Sequence, residues 1–548
     1  MDVSQVGRAA DAPLVRRNDW GVLQPPALSQ WRPTRSVSVV VPAYQCQEFV
    51  DLALAALSRQ TYPATLMEVV VADDGSEPPI KVPSLAPANT RIVRVPDLSR
   101  GWGRANALHV GATVSEGDLL HWLDADLIPF PEHVEAQARW HHLVPDAVTL
   151  GYKRFVPEGP WPTPTQVATC RLDTLFPVDR TRPHDYVEEL IDSTDGLRTA
   201  DHLAFRAHVG ATAAVSRELY HAAGGLRTEL RLGEDTELGY RLAQAGAVFI
   251  PEPGARAWHL GPSHMMRLGE RLRSYNRPFL ADLMPHPRWL RGGAAGRTWR
   301  VPLVTAVVCA DGPYERVQAC VDRLLTADEH DLVVLLVADW DALPDRPRRV
   351  LEDPLLDLRL LAAAYRSDPR VSLVGTAPRS AFPSPYLLTV PSHLGLAPDT
   401  VSRMVREADT HQVGLLRAVA PGPGTGSLPP TVDLWRTSAV SRALRRMAIR
   451  EDRAPADGVA FADEVAAVWG VHWTSGADLG VVDLSDLDVV RSAEEPHGVS
   501  GRRTAASHGP TPVPVAGLRS LLRATGYVGR LALTRGWRRL RGASGGSP

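Results

Sequence analysis

Cysteine is scarce. The 548 residues hold four, Cys46, Cys170, Cys309 and Cys320, widely spread and with no CxxC pair. That excludes a zinc ribbon, an iron–sulfur protein and a disulfide scaffold. Lysine is scarcer still, with Lys81 and Lys153 alone in an arginine-rich chain. Alongside abundant Ala, Gly and Pro, this reads as coding bias. An excess of one charge is also missing: 60 basic residues face 62 acidic ones, a formal net charge of -2. No nucleic acid or other polyanion is therefore expected to bind along the whole chain, which leaves room for a local basic patch. Long apolar runs are absent, so no helix is expected to span a bilayer. Residues 1–35 have no apolar stretch behind a basic start, and a secretory signal is not expected. The expected location is the cytoplasm.

What is present suits a soluble globular protein: 44% hydrophobic and 22% charged residues, in a chain long enough for several domains. The short β-branched run Val37–Pro42 predicts a buried parallel strand. A helix follows over Gln47–Arg59, with Phe49, Leu52, Leu54 and Leu57 on its apolar face. Further strands are expected at Glu68–Ala72, Arg91–Val95 and Asp118–Leu123, with a helix at Arg104–Ser115. This alternation predicts an α/β fold with ligands at the carboxyl ends of its strands. Residues 157–204 are rich in Pro, Thr and Asp and lack periodicity, which predicts loops and short helices over the site. Helices at Ser216–Ala223 and Asp235–Ala245 come next, then a Gly-rich linker at 288–300.

Carboxylates collect at the strand ends. Asp73-Asp74 closes the second strand, and Asp124-Ala125-Asp126 closes the strand DLLHWL. In extended chain the two side chains of a D-x-D share a side. Their repulsion is relieved when a hard divalent cation bridges them, and such a cation commonly also binds a diphosphate. The blander reading is a loop with capping aspartates. A third cluster, Gly233-Glu234-Asp235-Thr236-Glu237, opens a helix, where acidic side chains are favoured in any case by the helix dipole. A lone His259 after a strand is more often structural than a ligand.

In their order VSVVVPAYQ, VVVADDGS, a Gly/Arg/Asn stretch, LDAD, Gly224-Gly225 and GEDTELGYRL, these segments resemble the family 2 glycosyltransferases of GT-A fold over roughly residues 36–285. The resemblance implies a nucleotide-sugar donor. Asp73 is implied as the better candidate for the nucleoside base, with Asp74 beside it, and Asp124 near the ribose. Asp126 is implied as ligand to Mn²⁺ or Mg²⁺ and Asp235 as the base that deprotonates an acceptor hydroxyl, giving transfer with inversion. His259 resembles a late histidine that some members use as a further metal or diphosphate ligand, and Arg104 is a candidate phosphate contact. The acceptor implied is a cell-surface glycan or a lipid-linked precursor. The Q-x-x-R-W helix of the processive polymerases is missing; Gln137 and Trp140 stand in the wrong place. Two other readings remain: a sugar nucleotidyltransferase, against which PAYQCQEF lacks a Gly-rich phosphate loop, and a non-catalytic glycan-binding or scaffold protein.

The pattern then restarts. At a shift of 267 residues Glu48 meets Glu315, Val50 meets Val317 and Leu57 meets Leu324. After one deletion Ala72-Asp73 meets Ala338-Asp339, which sets Asp74 on Trp340. The original shift then recovers Pro131 on Pro398 and Val134 on Val401. This ordered series predicts duplication of a whole domain. Asp124-Ala125-Asp126 falls on Pro391-Ser392-His393, and the counterpart of Glu234-Asp235 is read as Asp463-Glu464. A second GT-A-like domain without catalysis is expected, serving to pack on the first, assemble a homodimer or bind acceptor glycan. The expected division is an extension at 1–35, the catalytic domain at 36–287, a linker at 288–300, the degenerate domain at 301–490, a linker at 491–516 and a tail at 517–548. Leu518–Arg541 in that tail carries seven arginines, no acidic residue and leucines at helical spacing. It predicts an amphipathic helix on the anionic inner face of the cell membrane, against a disordered tail or a helix docked on the protein itself.

Overall fold

The VSVVVP run lies at the heart of a sheet, as β1 (Val37–Ala43) of a computed structural model. Val39, Val40 and Val41 have no exposed surface. Val40 packs with Leu108 and Trp122 on one face, while Val39 and Val41 pack with Val50, Leu54 and Leu57 on the other. Alternation sends neighbours to opposite faces, and because both are covered the strand must be apolar throughout. The structure describes residues 13–292, 297–343, 348–421, 429–450 and 458–486. These belong to one compact unit, Met1–Ser492. The expected tail helix Leu518–Arg541 and the linker before it lie outside the described residues. Among the described residues no helix is long and apolar enough to cross a membrane.

The first half builds one sheet from β1, β2 (Met67–Asp73), β3 (Thr90–Arg94), β4 (Leu119–Trp122), β5 (Leu127–Pro129), β6 (Ala147–Val156), β7 (Ala213–Ser216) and β8 (Val248–Leu260). Its order is β3-β2-β1-β4-β7-β6-β8-β5. The first four strands are parallel, β7 is antiparallel to its neighbours, and β6 runs parallel to β8. This is the mixed, mostly parallel α/β arrangement expected of the GT-A fold. The expected helices end within a residue or two of prediction, at Gln47–Leu57, Arg104–Val114, Arg217–Ala222 and Glu234–Gln244. Ser216 is not the first helical residue but the cap, its hydroxyl oxygen accepting the Leu219 N–H at 3.2 Å. Residues 157–204 form helices Pro164–Thr169 and Asp185–Ser193 among short turns. Val167, Leu172 and Phe176 from this stretch pack against Ile128 of β5 and Trp258 of β8. The Gly-rich stretch after Pro287 starts with a single helical turn, Arg288–Arg291.

The second half repeats the plan with β9 (Val304–Cys309), β10 (Leu332–Val337), β11 (Val371–Val374), β12 (Tyr386–Thr389), β13 (Leu394–Leu396), β14 (Leu415–Val419), β15 (Thr431–Arg436), β16 (Val471–Ser475) and β17 (Val481–Asp483). Its main sheet runs β11-β10-β9-β12-β15-β14-β16, strand for strand the order of the first, and β13 pairs with β17 as β5 pairs with β8. Register tests the sequence alignment. Val37 pairs with Leu119 and Val304 with Tyr386, which confirms the shift of 267 for β1 and β4. In β2 the alignment needs correction: Val37 pairs with Met67 and Val304 with Leu332, a shift of 265. Asp73 therefore corresponds to Ala338 and Asp74 to Asp339, not to Trp340.

The halves share buried contacts. Arg442, fully buried, donates to the carbonyls of Gly246 and Ala247 at 2.8 Å each, and to those of Val15 and Arg17. Gly246 has φ +90°, and a Cβ there would lie 2.8 Å from the Arg442 nitrogen, so only glycine fits. The segment before β1 also packs closely: the Asn18 amide donates to the Leu197 and Phe249 carbonyls at 2.9 Å.

Candidate active site

Four loops at the carboxyl ends of the first sheet converge. After β2, Asp73 is fully buried, and its oxygens accept the Ser76 N–H at 2.8 Å, the Ile80 N–H at 3.2 Å and the Arg94 guanidinium at 2.9 Å. Burial alone would raise this carboxyl; the hydrogen bonds and Arg94 outweigh it and hold it below the ordinary value. Asp73 thus organises its own loop, using three of the roughly four hydrogen bonds a carboxylate can accept. Asp74 has more capacity to spare. Its Oδ2 accepts the Gly103 N–H at 2.7 Å, its buried Oδ1 has no partner, and burial raises its pKa.

Arg104, at the start of its helix, joins two of the predicted clusters. Its guanidinium reaches Asp124 Oδ1 at 2.7 Å and Glu234 Oε1 at 2.7 Å. The D-x-D and the acidic helix start are thereby drawn to one place, and Arg104's first role is this bridge. Glu234 is almost fully buried against it, while Asp235 remains half-exposed. Asp235 Oδ1 accepts the Thr236 N–H at 2.7 Å, and its carbonyl oxygen accepts from His208 at 2.7 Å. Gly210 makes room: a Cβ there would sit 3.2 Å from Asp235 Cβ and 3.3 Å from the Arg104 guanidinium. Glu237 plays the structural part, buried between Arg227 and Arg241.

Asp126 and His259 meet through the pairing of β5 with β8, which sets Leu127 opposite His259. His259 Nε2 lies 3.8 Å from Asp126 Oδ2. Both residues keep a buried polar atom without a partner, Asp126 Oδ1 and His259 Nδ1. Burial and the neighbouring Asp124 push the Asp126 carboxyl up to about 7; burial, then Lys153, pulls the His259 imidazole down to about 4. A neutral imidazole beside an unsatisfied carboxylate is a donor set suited to a hard or borderline cation. Among the described residues no group of three or more His, Cys, Asp or Glu side chains closes into a cage. The protein would therefore contribute two ligands and leave the remaining positions to substrate oxygens and water.

Lys153 on β6 was not predicted. It is 6% exposed, and among the described residues its ammonium has no hydrogen-bond or ion-pair partner. Asp124, Asp235 and Asp126 all bear on it electrostatically, while burial lowers its pKa. The only sequence signal was its rarity. With Arg104 it sets two cations against four carboxylates, Asp124, Asp126, Glu234 and Asp235.

In the second half the same positions carry different chemistry. Leu394 pairs with Asp483 as Leu127 pairs with His259, so the imidazole and carboxylate positions are exchanged: His393 stands for Asp126 and Asp483 for His259. Ser392 is hydrogen-bonded to Asp311 at 2.5 Å. Asp463 and Glu464 are not the counterpart of Glu234-Asp235. They lie in the middle of the helix Gly458–Val468, and Glu464 pairs with Arg446 at 2.8 Å.

Residues 38–212 match the glycosyl transferase family 2 model. The chain carries a family 2 glycosyltransferase domain. It is 26% identical over 329 residues to the chondroitin synthase of Pasteurella multocida (strain Pm70), covering 55% of this chain and 33% of that protein. It is 33% identical over 109 residues to the undecaprenyl-phosphate 4-deoxy-4-formamido-L-arabinose transferase of Yersinia pestis (strain Pestoides F), covering 19% and 32%. The chain thus spans about a third of the length of these relatives. The crystal structure of S. aureus TarS 1–349 is similar with a TM-score of 0.28 and 17% identity, over 41% of this chain and 60% of that one.

Proposed function

We propose that the first half is a metal-dependent, inverting glycosyltransferase that moves a sugar from a nucleotide-sugar to a hydroxyl of a glycan or lipid-linked acceptor. The observation that carries the reading is the pair of 2.7 Å contacts from Arg104 to Asp124 and Glu234, which gather the D-x-D and the Glu-Asp helix start into one acidic site. Asp74 and the Gly103 turn flank the donor's nucleoside. Asp126 and His259 would hold Mn²⁺ or Mg²⁺, which would supply Lewis-acid neutralisation of the departing diphosphate. Half-exposed Asp235 takes the acceptor proton as the hydroxyl oxygen attacks the anomeric carbon. A single base, acting on the face opposite the leaving group, gives inversion. Lys153 supplies a fixed positive charge beside the reacting groups. The names of two relatives, a chondroitin synthase and an undecaprenyl-phosphate 4-deoxy-4-formamido-L-arabinose transferase, support a glycan or lipid-linked partner.

The test separates binding from chemistry. Asp126→Asn is expected to lose both transfer and metal-dependent nucleotide binding. Asp235→Asn is expected to lose about 10²–10⁴-fold in rate while binding donor normally. Equal loss of donor binding in both variants would overturn the assignment of roles.

A further inference from the structure

The helix His264–Leu283 follows directly on β8, starting five residues after His259. It is kinked at Gly269, and only a narrow stripe of it is buried, centred on Leu272 and Leu280. This stripe reaches the catalytic end of the sheet. A Cβ on Gly233, the residue that opens the Glu234–Gln244 helix, would lie 3.1 Å from Asn276 Nδ2 and 3.3 Å from Leu280 Cδ1. The kinked helix therefore braces the segment that carries Asp235.

Its outer surface is unlike an ordinary solvated face. Met265, Met266, Leu268, Tyr275 and Phe279 are 43–48% exposed, and the Tyr275 and Phe279 rings lie 5.2 Å apart. Trp289 is 63% exposed, and its backbone carbonyl accepts from Arg277 of the helix at 3.4 Å. Four arginines are interleaved. Arg273 pairs with exposed Glu270 at 2.9 Å, whereas Arg267, Arg271 and Arg277 have no carboxylate partner among the described residues. Apolar side chains gathered on one cationic helix exceed the scattered exposed residues that need no explanation. An acidic polysaccharide would engage the guanidinium groups and leave the methionines in water. Tyr and Trp suit a headgroup boundary, where an apolar body meets a polar rim, and arginines on the same helix complement lipid phosphates.

We propose that this helix, with Trp289, docks the protein on an anionic lipid surface and holds the Asp235 site at the headgroup plane. The purpose of the docking rests on the lipid-linked acceptor proposed above; the docking itself is read from the helix. The test uses the full chain with phosphatidylcholine vesicles, with and without phosphatidylglycerol. Wild-type protein is expected to sediment with the anionic vesicles and less so in high salt. The triple variant Arg267→Glu/Arg271→Glu/Arg277→Glu is expected to bind about tenfold or more weakly. Phe279→Trp is expected to gain fluorescence quenching by brominated lipid beyond that of wild type. That readout reports this helix alone, whatever residues 517–548 contribute. Unchanged vesicle binding by the triple variant, no added quenching in Phe279→Trp, or binding to dextran sulfate with none to vesicles would each overturn the proposal. Binding of UDP, GDP, ADP and dTDP is measured in parallel. If wild-type protein binds vesicles but none of these nucleotides, the docking stands and the glycosyltransferase reading falls.

Discussion

Asp126 and Lys153 carry opposite charges into the same buried space, and each has a measurable consequence. The Asp126 carboxyl has a folded value of about 7, above its ordinary 3.8, because burial and then Asp124 disfavour ionisation. The unfolded chain ionises first, so the folded state loses stability as pH rises from about 4 to about 7. Asp126→Asn removes that cost. Without divalent metal its Tm should exceed wild type at about pH 8 and match it at about pH 4; equal Tm values at the higher pH would contradict the geometry. Lys153→Met should weaken nucleoside diphosphate binding about 10- to 100-fold, the worth of a charge-assisted hydrogen bond of about 1.5–3 kcal/mol, with Lys153→Arg recovering part of it. Titration calorimetry decides, and unchanged affinity in Lys153→Met would make the lysine a structural counter-charge only. The sequence made Asp124, Asp126, Asp235 and His259 visible because strand ends and helix starts have local patterns. Lys153 had no such pattern. The loop-building role of Asp73 was not legible, because two of its partners, the Ile80 N–H and the Arg94 side chain 21 residues on, lie outside ADDGS.

At the scale of elements, β4, β6 and the helix between them bury three imidazoles behind the site: His121, His133 and His141. Burial keeps them neutral, with His121 well below the ordinary value, His133 at about 4 and His141 at about 3. Because their folded values lie below that of a free imidazole, their contribution is intact above about pH 6.5 and is lost as pH falls from there toward about 4. The Tm should drop across that window, and His141→Gln should shrink the drop. A variant as acid-sensitive as wild type would contradict this. The elements themselves were largely legible. VSVVVP could only be a strand covered on both faces, and GEDTEL could only open a helix. The three-residue strands β5 and β13 escaped notice because so short a run has no periodicity. They are defined by their partners β8 and β17, which lie far along the chain.

Across the whole molecule, two sheets of the same strand order share one compact unit, joined through the buried guanidinium of Arg442. The duplication was legible in spaced apolar matches. Its register in β2 was not, because a two-residue difference in loop length leaves no trace in a strand of repeated valines. Arg442→Met would leave four backbone carbonyls without their donor and should cost about 3 kcal/mol or more. The urea midpoint should fall accordingly, and a variant as stable as wild type would show that the halves are held by other contacts. The second half has exchanged the Asp126 and His259 positions, and on that ground we assign all chemistry to the first half. The most direct test is turnover of UDP-, GDP-, ADP- and dTDP-sugars with Mn²⁺ by the full chain beside the double variant Asp126→Asn/Asp235→Asn. Metal-dependent turnover of one donor is expected from the wild type and none from the double variant. Turnover persisting in the double variant would place the active site elsewhere.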